Sequence, residues 1–238
     1  MHSYLSGISM AFKEIAERMV DRNIKKCKRL SLNIIGATPL DFSVNGSIDS
    51  IKKLLKESGF DIISTWAMGS SLDEIKKSGQ SSVNLVISYS GLAAAEELQK
   101  IFGTPYVVGV PYGKKFSKKL VNDLKLAAYT GKSKVSYTER HVSDTSDITI
   151  IGESVMSGSI AAAINAESGR TVRVLCPLET KMNLLADCDI VTKCEDDLMV
   201  HLKESKIVIA DPLYRPICTE GCRFISLPHE AFSGRIYR

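Results

Sequence analysis

Two similar stretches of sequence decide the fold: Leu32-Asn33-Ile34-Ile35-Gly36 and Ile148-Thr149-Ile150-Ile151-Gly152. Each apolar run ends at a glycine and is followed by a loop and by a segment with helical spacing. Both helical segments end at Glu-Ser-Gly, residues 57–59 and 167–169, and a second apolar run follows each of them. Strand, glycine turn, helix and strand are the parts of a parallel α/β unit. The sequence therefore predicts two α/β units that begin in the same way.

The chain of 238 residues is long enough for two domains of roughly 100–120 residues each. We predict an α/β fold with two Rossmann-like domains, each a parallel sheet with helices on both faces. The predicted segments are an N-terminal helix and basic connection at 1–30, a first domain at 31–130, a connection at 131–146 and a second domain at 147–238. The connection is predicted there because the segment is polar and lacks periodicity.

The composition is typical of a soluble globular protein, with 44% hydrophobic and 24% charged residues. The net charge is only +4, and the densest basic cluster, residues 22–29, is interpreted as a solvated connection rather than a nucleic-acid site. Because no run of 18 apolar residues occurs, no membrane span is predicted. Six scattered cysteines without a secretory signal predict a reduced, cytoplasmic setting.

The loops that follow the predicted strands hold the candidate binding residues, because ligands bind parallel α/β folds at the carboxyl ends of the strands. In the first unit these residues are Gly36, Thr38, Ser88, Tyr89, Ser90, Gly91, Tyr112 and Gly113. In the second unit they are Gly152, Glu153, Ser154 and Met156. No loop matches a dinucleotide or P-loop pattern, so a nucleotide site is not favoured. The helix N-termini offer N–H groups to an anionic ligand, whereas the serines are equally suited to capping the next helix.

The C-terminal segment contains a cysteine pair, Cys218 and Cys222, followed by His229. The pair is a candidate for metal ligation, but its spacing departs from the common Cys-x2-Cys pattern. Buried or surface thiols without a metal are the alternative, and both interpretations stay open at this point. His229 lies on a loop after the last predicted strand and is therefore a candidate site residue.

Over nearly its whole length the chain resembles the nitrogenase component 1 family. The resemblance is carried by the segments Asn33–Gly36, Ile51–Phe60, Val83–Tyr89, Phe102–Pro105, Arg223–Pro228 and Phe232–Arg235. That family includes cofactor-maturation scaffolds and dark-operative protochlorophyllide reductase subunits, and its members have three Rossmann-like domains. The resemblance implies an oxidoreductase subunit that pairs with a paralogous or identical component 1 subunit. It also implies an ATP-dependent iron–sulfur reductase protein as the electron donor.

The chain departs from the family at three points. The family's N-terminal domain, with the cysteines for a bridging iron–sulfur cluster, would precede Met1, so we expect a fragment of a longer protein. Ser88 stands at or beside the position of the family's cofactor-binding cysteine, and serine is a poor iron ligand compared with a thiolate. The family's cofactor-binding histidine falls near Pro228, one position before His229. A dinitrogen-reducing site is therefore not expected.

Two functions follow from the resemblance. In the first, the two domains hold an iron–sulfur or related metallocluster, or a tetrapyrrole-like cofactor, between their strand ends, and Tyr89 and His229 are the candidate catalytic residues that deliver protons. In the second, the chain is a scaffold or carrier module without turnover. A two-domain solute or nucleotide-sugar binder is a third and weaker interpretation. Neither nucleic acid nor a membrane is expected as a partner, and the chain alone is expected to be inactive.

Overall fold

The computed structural model describes residues 3–141 and 146–234 of the chain. The strands are β1 (Ser31–Ile35), β2 (Asp61–Thr65), β3 (Val83–Val86), β4 (Tyr106–Val108), β5 (Lys134–Val135), β6 (Ile148–Ile151), β7 (Val172–Cys176), β8 (Ile190–Val191), β9 (Ile207–Ala210) and β10 (Arg223–Ser226). The helices are α1 (Tyr4–Arg18), α2 (Pro39–Phe42), α3 (Ser47–Glu57), α4 (Leu72–Lys76), α5 (Leu92–Phe102), α6 (Lys114–Thr130), α7 (Ser154–Ser168), α8 (Glu195–Leu202) and α9 (Glu230–Ser233). Short 3-10 turns cover Lys77–Gln80, Tyr89–Gly91, Met182–Leu184 and Pro212–Ile217.

The strands form two parallel sheets of five strands each, in the orders β2-β1-β3-β4-β5 and β10-β9-β6-β7-β8. The predicted α/β fold class is thereby confirmed. The two apolar stretches that predicted it are inner strands, since β1 pairs with β2 and β3, and β6 pairs with β7 and β9. Every residue of both strands is buried, which explains why their sequences are nearly continuous apolar runs.

Helix α7 belongs to the packing of both sheets. Its Val155 and Ala162 join the hydrophobic core of the first sheet, whereas Ala161 packs with the strands of the second sheet. Helix α1 also packs into the first core through Phe12 and Ala16. The two sheets are therefore joined by apolar contacts as well as by the chain connection.

The structure differs from the sequence prediction at two positions near this junction. Lys134–Val135, which fell in the predicted connection, forms strand β5 at the edge of the first sheet. The sequence predicts a helix over Ser157–Ser168, whereas α7 begins at Ser154, because the Glu153 carboxylate caps it there. Residues 142–145 of the predicted connection lie outside the described residues.

Within residues 3–141 and 146–234, no helix has the length and apolar character needed to cross a membrane. The longest described helices of the chain, α1, α6 and α7, are held in the packing of the two sheets by buried side chains.

Two glycines bring the chain backbones into direct contact at the carboxyl end of β1. A Cβ atom on Gly91 would lie 2.7 Å from the carbonyl carbon and oxygen of Ile35 and from the Gly36 nitrogen. Gly36 itself has a φ of +92° and would also meet the backbone of Ser88 if it carried a Cβ. These glycines were predicted to bind a cofactor, but in the structure they permit β1 and the turn after β3 to approach closely.

We predict that Gly91→Ala destabilises the fold by about 1–3 kcal/mol, because the added methyl must displace backbone atoms. Gly7→Ala is the matched control, since a Cβ at this helical position meets no atom within 4 Å. That control should be neutral or slightly stabilising. Urea unfolding followed by circular dichroism measures both changes, and equal stability of the two variants would contradict the packing role of Gly91.

Candidate functional site

The carboxyl ends of the two sheets meet at Glu153. One carboxylate oxygen, Oε1, accepts hydrogen bonds from the backbone N–H of Tyr89 (3.0 Å) and of Val155 (2.9 Å). The other oxygen, Oε2, accepts from the N–H of Met156 at 2.9 Å. Glu153 is 1% exposed. A single buried carboxylate therefore caps α7 and binds the loop that follows β3 in the other sheet.

The environment of Glu153 brings its proton equilibrium near neutral pH. Burial, followed by the nearby negative charge of Asp41, raises the pKa of this carboxyl from 4.5 to about 7. The hydrogen bonds from Met156, Val155 and Tyr89 act in the opposite direction, because they stabilise the ionised form. A carboxyl group with a pKa near 7 can both hold and release a proton under physiological conditions.

Asp41 is the centre of a second buried polar cluster at the same junction. The hydroxyl of Tyr4 donates a hydrogen bond to Asp41 Oδ1 at 2.6 Å, and His229 Nε2 lies 3.4 Å from the same oxygen. Burial and the Asp41 charge raise the pKa of the Tyr4 phenol well above its usual range. His229 is 9% exposed and packs against Phe232 with a ring separation of 4.7 Å. The cluster thus joins α1, the loop after β1 and the C-terminal segment.

Two chain segments cross from one sheet to the other and close the space between them. At the start of α1, the amide and hydroxyl of Ser3 donate hydrogen bonds to the Glu179 carboxylate, in the loop after β7. At the other end of the chain, Ser43 Oγ donates to Glu230 Oε1 at 2.5 Å. The sequence led us to expect a cofactor between the strand ends; the structure shows hydrogen bonds between side chains of the protein at this junction, and the cofactor stays a prediction.

An apolar groove lies beside the filled junction, between α3 and α6. It has a volume of about 700 Å³, which is within the usual range for small-molecule sites. The side chains that line it are Phe42, Ser47, Ser50, Ile51, Leu54, Ser58, Val110, Pro111, Tyr112, Lys114, Ser117, Lys118 and Val121, together with Gly113. It is open at the carboxyl end of β4, the edge of the sheet where a ligand is expected.

Tyr112 connects the groove with the buried carboxylates. Its side chain lines the groove, and the nearby charges of Glu153 and Asp41 add to burial in raising the pKa of its phenol. Phe42 makes a second connection, because it lines the groove and directly follows Asp41 in the short helix α2. Tyr112 and Phe42 are therefore the residues shared between the lining of the groove and the surroundings of the buried carboxylates.

Several predicted binding residues have structural contacts in the described chain. Thr38 caps α2, and its side chain accepts the N–H of Asp41 at 3.3 Å. Ser88 and Ser90 are fully buried, and their hydroxyl oxygens lie 3.0 Å apart. The Ser88 hydroxyl also accepts the N–H of Ser90. This is the contact expected of a serine that caps the following turn. With Gly36 and Gly91, these residues form the packed end of the first sheet.

The other predicted residues divide between the junction and the groove. Ser154 lies in the first turn of α7 and accepts a hydrogen bond from Thr180 at 2.8 Å. Met156, in the same turn, packs against the core of the first sheet. Gly152 directly precedes Glu153, the N-cap residue of this helix. The backbone of Tyr89 contacts Glu153, while its side chain is half-buried. Of the predicted binding residues, Tyr112 and Gly113 alone line the groove.

The cysteine pair packs against the core of the second sheet. Cys218 and Cys222 are half-buried there, and Cys218 Sγ donates to the Tyr214 carbonyl at 3.4 Å. Within residues 3–141 and 146–234, no group of three His, Cys, Asp or Glu side chains is arranged to hold a metal ion. Metal ligation by the two cysteines therefore stays a prediction.

A metallocluster does not fit the donor atoms at the junction. Iron–sulfur clusters are held mainly by cysteine thiolates, whereas the described residues supply carboxylates, hydroxyls and the imidazole of His229 there. The one thiol near Glu153 is Cys176, and burial raises its pKa to about 12, so it stays protonated. The groove offers mainly apolar side chains instead, together with four serines and two lysines.

Sequence reasoning missed Tyr4 and Asp41 as members of the site. Tyr4 lies in the N-terminal helix, where its place in an amphipathic pattern gave no sign of a contact with the loop after β1. Asp41 follows a strand end and was therefore near a predicted site, but an aspartate in such a loop is equally suited to helix capping. No sequence motif marks the groove, because its lining residues come mainly from two helices, α3 and α6, that are distant in the sequence.

A family model, curated proteins and solved structures match this chain. The family model described as nitrogenase component 1 type oxidoreductase matches residues 1–173. One subunit of the light-independent protochlorophyllide reductase of Nostoc punctiforme is 36% identical over 89 residues, which are 37% of this chain and 18% of that protein. The corresponding protein of Chlorokybus atmophyticus is 34% identical over 110 residues, 46% of this chain and 22% of that protein. The match thus spans about a fifth of the length of these relatives.

A solved nitrogenase structure has the same fold. The structure titled "Nitrogenase Cp1 at pH 5" superposes with a TM-score of 0.61 and 12% sequence identity, covering 94% of this chain and 56% of that chain. At this identity the likeness concerns the fold alone.

We predict that Glu153→Gln flattens the pH dependence of stability between pH 4.5 and 7. Because the folded chain binds this proton more tightly than the unfolded chain does, the associated stability is complete below pH 4.5 and is lost as the pH rises through about 7. The full effect is on the order of 3 kcal/mol. Urea unfolding at a series of pH values measures it.

The control for this measurement is Glu57→Gln, which changes the same chemical group at an exposed position of α3. It should retain the pH dependence of the unmodified protein. If Glu153→Gln shows the same pH dependence as this control, the assigned environment of Glu153 is wrong.

Proposed function

The chain belongs to the nitrogenase component 1 type oxidoreductase family, and from this premise we propose that it is part of a nitrogenase-like reductase that binds a tetrapyrrole-like molecule. In this proposal an ATP-dependent iron–sulfur reductase protein donates the electrons, and a paralogous or identical component 1 subunit completes the assembly. The observation that carries the proposal is the apolar groove beside a buried carboxyl group with a pKa of about 7.

The groove supports a flat, apolar ligand. Its floor contains Phe42, Ile51, Leu54 and Val121, and burial of an apolar ring on such a surface is favourable. The relatives matched over 89 and 110 residues are named for the reduction of protochlorophyllide. That name supports a tetrapyrrole-like molecule for this chain, whereas the donor atoms of the junction give no support to a metallocluster in the described residues.

The polar cluster supports a role in proton transfer. A two-electron reduction of a conjugated ring needs protons as well as electrons, and Glu153 has a pKa suited to supplying one near neutral pH. Tyr112 lines the groove, and its phenol is near enough to Glu153 for the charge of that carboxyl group to add to burial in raising its pKa. Of the two predicted catalytic residues, His229 belongs to the Asp41 cluster, while the Tyr89 amide holds the Glu153 carboxylate in place.

The proposed setting is the cytoplasm. All six cysteines are free thiols in the structure, and a reduced compartment keeps thiols in that state.

A non-catalytic scaffold or carrier module is the second candidate function. The observation in its favour is that the protein's own side chains, among them Tyr4, Asp41 and Glu153, occupy the junction between the sheets. A carrier would bind the same class of molecule in the groove but release it unchanged. Turnover distinguishes the two candidates.

The test uses anaerobically purified protein with its copurifying subunits, protoporphyrin IX as the probe, the reductase protein of the same organism and MgATP. We expect saturable binding and an ATP-dependent change in the porphyrin absorption spectrum. Leu54→Trp, which fills the groove, should weaken binding by about tenfold or more, equivalent to about 1.4 kcal/mol. Leu126→Trp is the control, because Leu126 lies exposed on α6 and does not line the groove.

The possible results separate the two functions. Binding that is sensitive to Leu54→Trp, without any spectral change on addition of reductase and MgATP, would support the carrier and contradict the reductase. Equal binding by both tryptophan variants would show that the groove is not the binding site.

We predict that reductase-dependent turnover decreases as the pH rises above about 7, because the protonated form of Glu153 is then depleted. Glu153→Gln cannot donate this proton and should show low turnover without the alkaline decrease. Initial rates measured from pH 6 to pH 9 test this, with Glu57→Gln as the control. An unchanged rate profile for Glu153→Gln would exclude Glu153 as the proton donor.

A further inference from the structure

The loop between β9 and β10 brings two cysteines to the same place. Residues 219–222 form a β-turn, in which the N–H of Cys222 donates to the carbonyl of Thr219 at 3.1 Å. Gly221 has a φ of +85°, and a positive φ at this third position is what a type II turn requires. Because the turn reverses the chain, Cys222 returns to the side of Cys218, the residue that directly precedes the turn.

The two thiols are neighbours as well as close in the sequence. Both side chains are half-buried and pack against one apolar cluster, the core of the second sheet. Burial, followed by the adjacent Cys222 side chain, raises the pKa of the Cys218 thiol to about 11. A disulfide requires Cα atoms within about 7 Å of each other, and a β-turn brings its first and last residues to about that separation. The loop therefore presents the pair in a position suited to a sulfur–sulfur bond.

We propose that Cys218 and Cys222 are a reversible redox pair, which a low-molecular-weight disulfide of the glutathione class oxidises to an intramolecular disulfide. The free thiols of the structure are the reduced state of this pair. The proposal needs the two sulfur atoms alone, whereas a structural metal site typically has four ligands. It concerns the loop after β9 and does not depend on the groove or on the proposed function.

The oxidation takes place in two exchange steps. The raised pKa keeps Cys218 protonated, so the Cys222 thiolate makes the first attack on one sulfur of the oxidant. The oxidant's sulfur–sulfur bond breaks, one half leaves as a thiolate, and a mixed disulfide forms on Cys222. Cys218 then gives its proton to water, and its sulfur attacks the Cys222 sulfur and releases the second half. The chain loses two electrons and two protons, and the oxidant gains both and leaves as two thiols.

Tyr214 connects the pair with the C-terminal segment. The Cys218 S–H donates to the Tyr214 carbonyl at 3.4 Å, and the Tyr214 ring packs edge-on against Phe232 of α9, with ring centroids 5.8 Å apart. A disulfide has no S–H group, so oxidation removes the donor of this hydrogen bond. The redox state of the pair therefore changes the contacts of a residue that packs on α9.

The experiment treats the anaerobically purified full chain with oxidised glutathione, alkylates the remaining thiols and measures the masses of the tryptic fragments. The fragment 207–223 contains both cysteines of the pair and no other, because Arg215 precedes a proline and trypsin does not cleave that bond. We expect this fragment to lose two hydrogen atoms and to escape alkylation, and we expect dithiothreitol to restore both thiols. Cys194 is exposed and is the one cysteine of the fragment 194–203, so it should instead gain a glutathionyl group.

Two serine variants separate the steps. Cys218→Ser should stop at the mixed disulfide, with one glutathionyl group on Cys222, whereas the control Cys194→Ser should form the disulfide as the unmodified chain does. Two glutathionyl groups on the fragment 207–223 of the unmodified chain, or full alkylation of that fragment while Cys194 reacts, would overturn the proposal. A zinc ion that copurifies with the unmodified chain and is lost in Cys218→Ser would also overturn it, in favour of metal ligation.

Discussion

The relative position of the two sheets depends on the hydrogen bonds of one buried carboxylate. Glu153 accepts an N–H from Tyr89 in the first sheet's loop and two from the first turn of α7. Burying a carboxylate without partners is costly, so this side chain requires all three donors in place. A shift of one sheet against the other would break the hydrogen bond from Tyr89, which is the one of the three that comes from the other sheet.

The crossing segments act on the same junction from outside. The start of α1 packs with the first sheet and contacts Glu179 of the second, whereas α9 follows the second sheet and contacts Ser43 of the first. Each half of the chain thus supplies a segment to the other half. Asp41 itself is buried, and its charge adds to burial in raising the pKa of Glu153.

The parts of the structure that follow from local sequence were predictable, and those that follow from distant contacts were not. Strands β1 and β6 were evident because continuous apolar runs ending at glycine are typical of buried parallel strands. Strand β5 was missed because its two residues, in a polar segment, have no periodic pattern. The contact between Asp41 and His229 joins residues from the two ends of the chain, and no spacing rule relates them. The metal-binding interpretation of Cys218 and Cys222 rested on spacing alone, which cannot show whether a third ligand is near.

Carboxylates of the protein itself occupy the N-termini of two helices that the sequence offered to an anionic ligand. The sequence suggested that the free N–H groups at helix N-termini would bind an anion, but Glu153 occupies this position on α7 and Glu167 on α6. Both donors and dipoles are then used by the chain itself. Burial and the charge of Asp41 raise the pKa of Glu153, so the carboxyl group that caps α7 also retains its proton up to near neutral pH.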